Sequence, residues 1–322
     1  MDTLVLPGGT TATSRIGMGC GRLNGGAAVR ESAKLVEAAL ACGIRHFDVA
    51  PSYGLGLAEG VLGRVVGDSP NVTITTKTGI AAPRHGQALS LVRTLVKPLV
   101  ARLPAMRARL ASGIAAPATS YGRFALDDMR ASVEASRKAL RRDRIDLLLL
   151  HEPPPAPGPE VEAALKDFLD QELIAAYGVG TGAGPAALPP FGSTTQFLWT
   201  PDDSSSVDGR LSIRHGLMRS GLARLHAVID AGAIDRAAVS AATGFNLDDR
   251  ALTPAFLLTV VLSLDPSGMV LISSNDPKRI TTAVHGVDWA FAGGKNAAFN
   301  QARDGLLDAM VRTADPAAVA HV

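Results

Sequence analysis

Short apolar runs and longer amphipathic stretches alternate along the chain, and this alternation carries most of the fold reading. Residues 28–43, AVRESAKLVEAALACG, repeat apolar positions every three or four residues and end on a glycine, which predicts an amphipathic helix. IRHFDV follows with the β-branched and aromatic content of a short buried strand, and it stops at Asp48, a residue that strand interiors avoid. A turn-rich PSYGLG carries Tyr53, AEGVLGRVV predicts the next helix, and VTITTK predicts a strand ending at Lys77. Further on, 126–144 reads as a helix with acidic residues early and basic ones late, and IDLLLLH as a fully buried parallel strand ending on His151. Residues 160–172 predict a helix, 174–180 and 194–199 strands, 210–218 a strand and 220–232 a helix. LTPAFLLTVVLSL is a helix with Pro in its first turn, GMVLISS the last strand, and NDPKRITTAV a helix start. RIGMGCGRL is the first strand, its glycines marking a place where the backbone lets another group approach. About eight strands alternating with helices predict a parallel sheet closed on itself, an α/β fold of the (β/α)8 TIM-barrel class. TLVLPGGTTATS, with its Pro-Gly-Gly turn, adds an N-terminal β-hairpin. No composition shift splits the chain, so residues 1–322 are expected to form a single domain.

After Lys77 the pattern breaks for some forty residues, a long loop after the third barrel strand of a length that usually serves a site. Its bases, Arg84, Arg93, Lys97, Arg102, Arg107 and Arg109, read first as a solvated face and second as an attractor for an anionic ligand. A net charge of +2 and 4% aromatic residues argue against a nucleic-acid or membrane partner. No apolar run approaches the roughly 20 residues needed to cross a bilayer, and the N-terminus lacks a basic start and apolar core, so a cytoplasmic protein is expected. Cys20 and Cys42 form no CxxC and stand near no His at metal spacing; both read as core residues, and no metal site is expected.

In a barrel of this kind the strands' C-terminal ends share one face, where active sites are built, and Asp48, Tyr53, Lys77 and His151 all lie at or just beyond such ends. A free phenol with a pKa of about 10 is a poor acid at neutral pH unless a nearby cation lowers that value. Lys77 can supply the cation, and Asp48 can keep the lysine charged by pairing with it. His151 can donate a hydrogen bond that orients a carbonyl oxygen beside the phenol. Such a quartet suits carbonyl reduction by hydride from a bound cofactor. Taken singly, each residue has a plainer reading: Asp48 as a cap, Tyr53 as a loop aromatic, Lys77 as an exposed strand end, His151 as a core histidine. Their joint order and spacing favour the site.

FDVAPSYG.G.AEGVLG, TTK, IDLLLLH and LISSNDPKRI, in that order, resemble the aldo-keto reductase family over residues Arg15 to Ala283. The resemblance implies Tyr53 as general acid/base, Lys77 and Asp48 as its tuning pair, and His151 as the residue orienting substrate. It implies NADP(H), with NAD(H) as the alternative, bound extended and without a Rossmann domain. Gln196 then matches a contact of the nicotinamide amide, and Ser273, Ser274, Asn275 and Arg279 the segment holding the adenosine ribose and its phosphate. The chain departs from the family in several places. GVGTG stands in place of GVSN, with Thr181 as a replacement contact; the aromatic that stacks on the nicotinamide falls near Arg214 and His215; Ser273 stands where many NADP-preferring members carry lysine; and a late Glu-Asn pair aligns with Thr282 and Ala283. Trp199 is read as lining the substrate pocket or filling the barrel mouth. Glu59 and Glu152 receive no catalytic role.

The expected reaction moves hydride between the nicotinamide and an aldehyde, ketone or sugar hemiacetal. The long loop is similar to that of family members acting on free sugars, such as aldose or galactose 1-dehydrogenases. A small-molecule carbonyl or sugar is therefore the expected partner, with oligomeric state left open. Two other readings stand beside it: a non-catalytic nucleotide-binding regulatory subunit of the same fold, and a barrel lyase forming a Schiff base at Lys77.

Overall fold

The chain's period-two segments pair side by side into a ring. The computed structural model describes residues 1–83, 120–203 and 209–313; most of the long segment after Lys77, including the six basic residues named above, lies outside the described residues. Two short strands, β1 (Thr3–Val5) and β2 (Ala12–Ser14), form the expected antiparallel hairpin. β3 (Ile16–Gly19), β4 (His46–Asp48), β5 (Thr73–Thr78), β6 (Leu147–His151), β7 (Tyr177–Gly180), β8 (Thr194–Leu198), β9 (Leu211–His215) and β10 (Met269–Ile272) follow in order. Neighbours pair in parallel, and β10 closes on β3, giving the eight-stranded barrel expected from the alternation.

The helices between strands are α1 (Val29–Ala41), α2 (Ala58–Val65), α3 (Leu126–Leu140), α4 (Pro159–Asp170), α5 (Leu222–Asp230), α6 (Arg236–Thr243), α7 (Thr253–Leu264), α8 (Pro277–His285), α9 (Trp289–Ala292) and α10 (Ala297–Arg312). Apolar periodicity marks no element at 236–243 or beyond 284, so α6, α9 and α10 go beyond the sequence expectation. Each begins with a side-chain cap that the sequence carries: Asp235, Asp288 and Asn296 accept from the amides of Ala238, Ala290 and Phe299. α7 is apolar nearly all round because it is buried nearly all round. Its C-terminal carbonyls are satisfied by Arg15, which donates to Leu262 O and Asp265 O, both at 2.8 Å. No helix among the described residues is long and apolar enough to cross a membrane.

Two cores follow from the strands' alternation. Outward residues such as Phe47, Ile74, Leu148 and Leu150 pack against the helices in one large cluster. Inward residues Leu147, Leu149, Ile213, Met269 and Leu271 fill the barrel together with Leu6 and Leu4 of the hairpin, which therefore plugs the base of the barrel. Beside them is a buried polar layer in which His46 Nδ1 meets Thr73 Oγ1 at 3.0 Å and His46 Nε2 meets Thr75 Oγ1 at 3.1 Å. Thr73 Oγ1 in turn donates to Thr13 Oγ1 of the hairpin at 2.7 Å.

Candidate active site

The inward register that fills the barrel continues to its C-terminal mouth. On β4 the inward positions are His46 and Asp48; on β5 they are Thr73, Thr75 and Lys77; on β6 they are Leu147, Leu149 and His151. One layer above the apolar filling, the same alternation that buries leucine therefore presents Asp48, Lys77 and His151, joined by Gln196 on β8 and His215 on β9.

Tyr53 reaches this layer from the loop after β4. Gly54 and Leu55 both adopt left-handed backbone conformations, with φ of 56° and 60°. A Cβ on Gly54 would lie 1.9 Å from Leu23 O, so only glycine allows the turn that brings the phenol back over the mouth. The Tyr53 ring meets His151 edge-on, with centroids 5.9 Å apart and planes at 84°. Lys77 Nζ lies 5.1 Å from the Tyr53 ring centroid.

Beneath the phenol, Lys77 (2% exposed) donates to both oxygens of Asp48 (3% exposed), at 2.6 and 2.7 Å, and to Val49 O at 3.2 Å. Burial pushes the Lys77 ammonium down, but Asp48 and Tyr53 outweigh it, and its pKa stands above the ordinary lysine value. Burial pushes the Tyr53 phenol up, and Lys77 opposes that rise through its charge and a hydrogen bond. The net direction is upward, contrary to the expected lowering, because burial, with the charge of Asp48 added to it, outweighs the opposing Lys77. Tyr53 is thus held as the protonated acid. Burial and the charge of Lys77 press His151 down to about 3, so its ring is neutral near pH 7, and its Nδ1 has no partner among the described residues. Cys20, buried beside this cluster, is pushed upward by burial and by Asp48 and stays a thiol.

These groups open into a cleft of about 350 Å³ whose lining includes Gly19, Gly21, Tyr53, Lys77, His151, Thr181 and Gln196. The glycines of the first strand thus lie where a close backbone approach was expected. A second cleft, of about 780 Å³, is lined by Ser273, Ser274, Asn275, Asp276, Arg279 and Ile280. The two share Arg22, Ile272 and Ser273 and so form one continuous groove. Arg22 and Arg219 supply positive charge to the lining of the first cleft, and Gly19 and Gly21 leave open space beside it. At the far end, Asp276 caps α8 by accepting from Lys278 N, and the exposed Arg279 side chain sits 3.8 Å from its carboxylate. No group of three His, Cys, Asp or Glu among the described residues could hold a metal ion.

Several residues fall differently from the sequence expectation. Gln196 Nε2 donates to Asp48 Oδ2 at 2.7 Å, so Gln196 is built into the catalytic layer as well as facing the cleft. Of the pair Arg214 and His215, only His215 lines the cleft; its Nε2 donates to Thr181 O at 2.8 Å. Arg214 points outward into a buried ionic cluster with Asp203 and Asp265. Trp199 is 1% exposed and packs in the outer core, its ring against Gly221, and it does not line the cleft. The alternation from β8 explains this: Gln196 and Leu198 face the mouth, Phe197 and Trp199 the helices. Glu59, in the first turn of α2, accepts from Thr76 Oγ1 at 2.6 Å outside the barrel. Glu152 has a place the sequence did not suggest. It lines the cleft, accepting from Thr181 Oγ1 at 2.6 Å and from Gly182 N at 2.5 Å. The detectable signal was its position directly after His151, at the end of an inward register.

Comparison with known proteins bears on the family and the fold. The profile of the Aldo/keto reductase family matches residues 15–185. Among curated proteins, a D-threo-aldose 1-dehydrogenase from a Pseudomonas species is 32% identical over 133 residues, covering 38% of this chain and 34% of that protein. The aldo-keto reductase YhdN of Bacillus subtilis is 30% identical over 174 residues, 52% of this chain and 43% of that protein. The chain thus spans less than half the length of these curated relatives in the matched stretches. Among solved structures, the glycerol dehydrogenase AKR11B4 from Gluconobacter oxydans superposes with a TM-score of 0.69 at 18% identity, covering 98% of each chain. The holo form of aldo-keto reductase AKR11C1 from Bacillus halodurans gives a TM-score of 0.67 at 16% identity, over 95% of this chain and 96% of that one. With its match running from the first barrel strand through β7 and the residues just after it, and with the same barrel in its structural neighbours, the chain belongs to the aldo/keto reductase family.

Proposed function

We propose that the protein is a nicotinamide-dependent oxidoreductase that moves hydride between the cofactor and an aldehyde, ketone or sugar hemiacetal. One observation carries the reading: a protonated phenol and a neutral imidazole meet edge-on in a cleft above a buried lysine–aspartate pair. When bound, the cofactor supplies or accepts the hydride at the substrate carbon. Tyr53 gives its proton to the substrate oxygen in reduction and takes it back in oxidation, while Lys77 stabilises the phenolate side of that exchange. Asp48 holds Lys77, Gln196 holds Asp48, and His151 donates to the substrate oxygen from Nε2. The lysine's ammonium, paired on both carboxylate oxygens, speaks against a Schiff-base mechanism, which needs a free amine.

Gln196, Thr181 and His215, which line the first cleft, are assigned to the nicotinamide end of the cofactor, and Ser273, Ser274, Asn275 and Arg279, which line the second, to the adenosine end. Arg279 and Lys278 against the single carboxylate of Asp276 favour a 2′-phosphate and hence NADP(H); Asp276, 3.8 Å from Arg279, is what supports NAD(H) as the second choice. A sugar or polyol substrate is favoured by the names of the curated relative and the structural neighbour, an aldose dehydrogenase and a glycerol dehydrogenase. The test is a spectrophotometric screen of aldoses, polyols and simple aldehydes against both cofactors in both directions. Turnover of at least one pair is expected. Tight cofactor binding with no turnover across the panel would instead favour the non-catalytic regulatory role.

A further inference from the structure

Glu152 is a carboxylate at the end of the cleft that the catalytic quartet does not use. Its backbone is left-handed, with φ of 54°, a conformation uncommon for a side chain of this kind and one that turns the residue directly after His151 back toward the mouth. Two hydrogen bonds hold it there, from Thr181 Oγ1 and Gly182 N, across the loop that follows β7. The same loop is tied to β9 through Thr181 O and His215 Nε2. Glu152, Thr181, Gln196 and His215 therefore form one wall of the catalytic cleft. The other charges along this cleft are disposed differently. Lys77 and Asp48 neutralise each other, burial lowers the proton affinity of His151 and His215, and the remaining cations are Arg22, which also lines the second cleft, and Arg219.

We propose that Glu152 biases this site toward the oxidised, positively charged nicotinamide over the reduced, neutral one. The proposal rests on the nicotinamide reading above. A nicotinamide ring carries a unit positive charge when oxidised and none when reduced, so a fixed carboxylate on the wall distinguishes the two forms by charge alone. Its exposure to solvent screens the effect to a moderate size.

Glu152→Gln is a close isostere for the test. Its carbonyl can still accept from Gly182 N and its amide can donate to Thr181 Oγ1, so the loop connection is kept and only the charge is lost. Dissociation constants of the oxidised and reduced cofactor would be measured by fluorescence titration and calorimetry for wild type and variant. The oxidised form is expected to bind roughly three- to tenfold more weakly in the variant, with the reduced form changed by less than about twofold and the difference shrinking as salt is raised. A loss shared equally by both forms, the mark of a merely structural role, or no change in either, would overturn the proposal. Wild-type protein that binds neither form would instead sink the nicotinamide reading itself.

Discussion

At the scale of single residues, the pair at the bottom of the cleft decides both chemistry and stability. Lys77→Met leaves Asp48 buried with Gln196 Nε2 as its remaining side-chain donor among the described residues. Such a variant is expected to lose about 3–5 kcal/mol in urea denaturation together with its turnover, since an unpaired buried charge costs more than the intact pair contributes. Buried histidines make the fold acid-sensitive, His46 and His151 foremost. The rings of His46 and His151 take a proton near pH 6.5 in the unfolded chain, but burial holds them down to about 4 and about 3 in the folded one. The unfolded state therefore binds more protons as pH falls below about 6.5, and stability declines through that window. Denaturation midpoints measured from pH 7 to 4.5 should fall steadily, and His46→Asn should flatten the slope. The quartet was legible in the sequence because each member ends or follows a recognisable apolar strand. What was not legible was the second partner of each residue. Nothing in TTQFLW announces that Gln196 donates to Asp48, 148 positions away, and nothing in SIRHG states which of Arg214 and His215 faces inward until the register of β9 is known.

At the scale of elements, one strained turn serves the site and one plug serves stability. Gly54→Ala places a methyl against the Leu23 carbonyl in a left-handed turn, so the loop carrying Tyr53 must move. We expect kcat to fall at least about tenfold with the global denaturation midpoint little changed, because a small displacement of the acid costs rate far more than stability. The hairpin has the opposite signature. Leu6→Ala opens a cavity at the barrel base, remote from the cleft, and should lower stability by about 2–5 kcal/mol with kcat nearly unaffected. The sequence marked the hairpin by its Pro-Gly-Gly turn, but not its role: Leu4 and Leu6 become core residues only once the barrel exists beneath them.

For the whole molecule, the alternation of apolar runs carried the barrel and its order, since parallel strands buried on both faces read as continuous apolar stretches. Helices α6 and α10 escaped that reading; their caps are local, but their apolar faces are short or diluted by Ala, Asn and Gln. Continuity of the groove was likewise invisible in one dimension, because Arg22 and Ser273, which join its two halves, are 251 positions apart. A ligand that fills both halves should stabilise the fold as a unit. Saturating dinucleotide is expected to raise the thermal midpoint measurably, while nicotinamide mononucleotide or adenosine alone should do so much less. The central claim, that Tyr53 is the proton donor of a hydride-transfer site, is tested most directly by Tyr53→Phe assayed on the best substrate with cofactor binding measured in parallel. The account predicts that turnover falls by about 10²–10⁴ while the cofactor's Kd stays within about twofold. Turnover retained at wild-type level by the phenylalanine variant would contradict it.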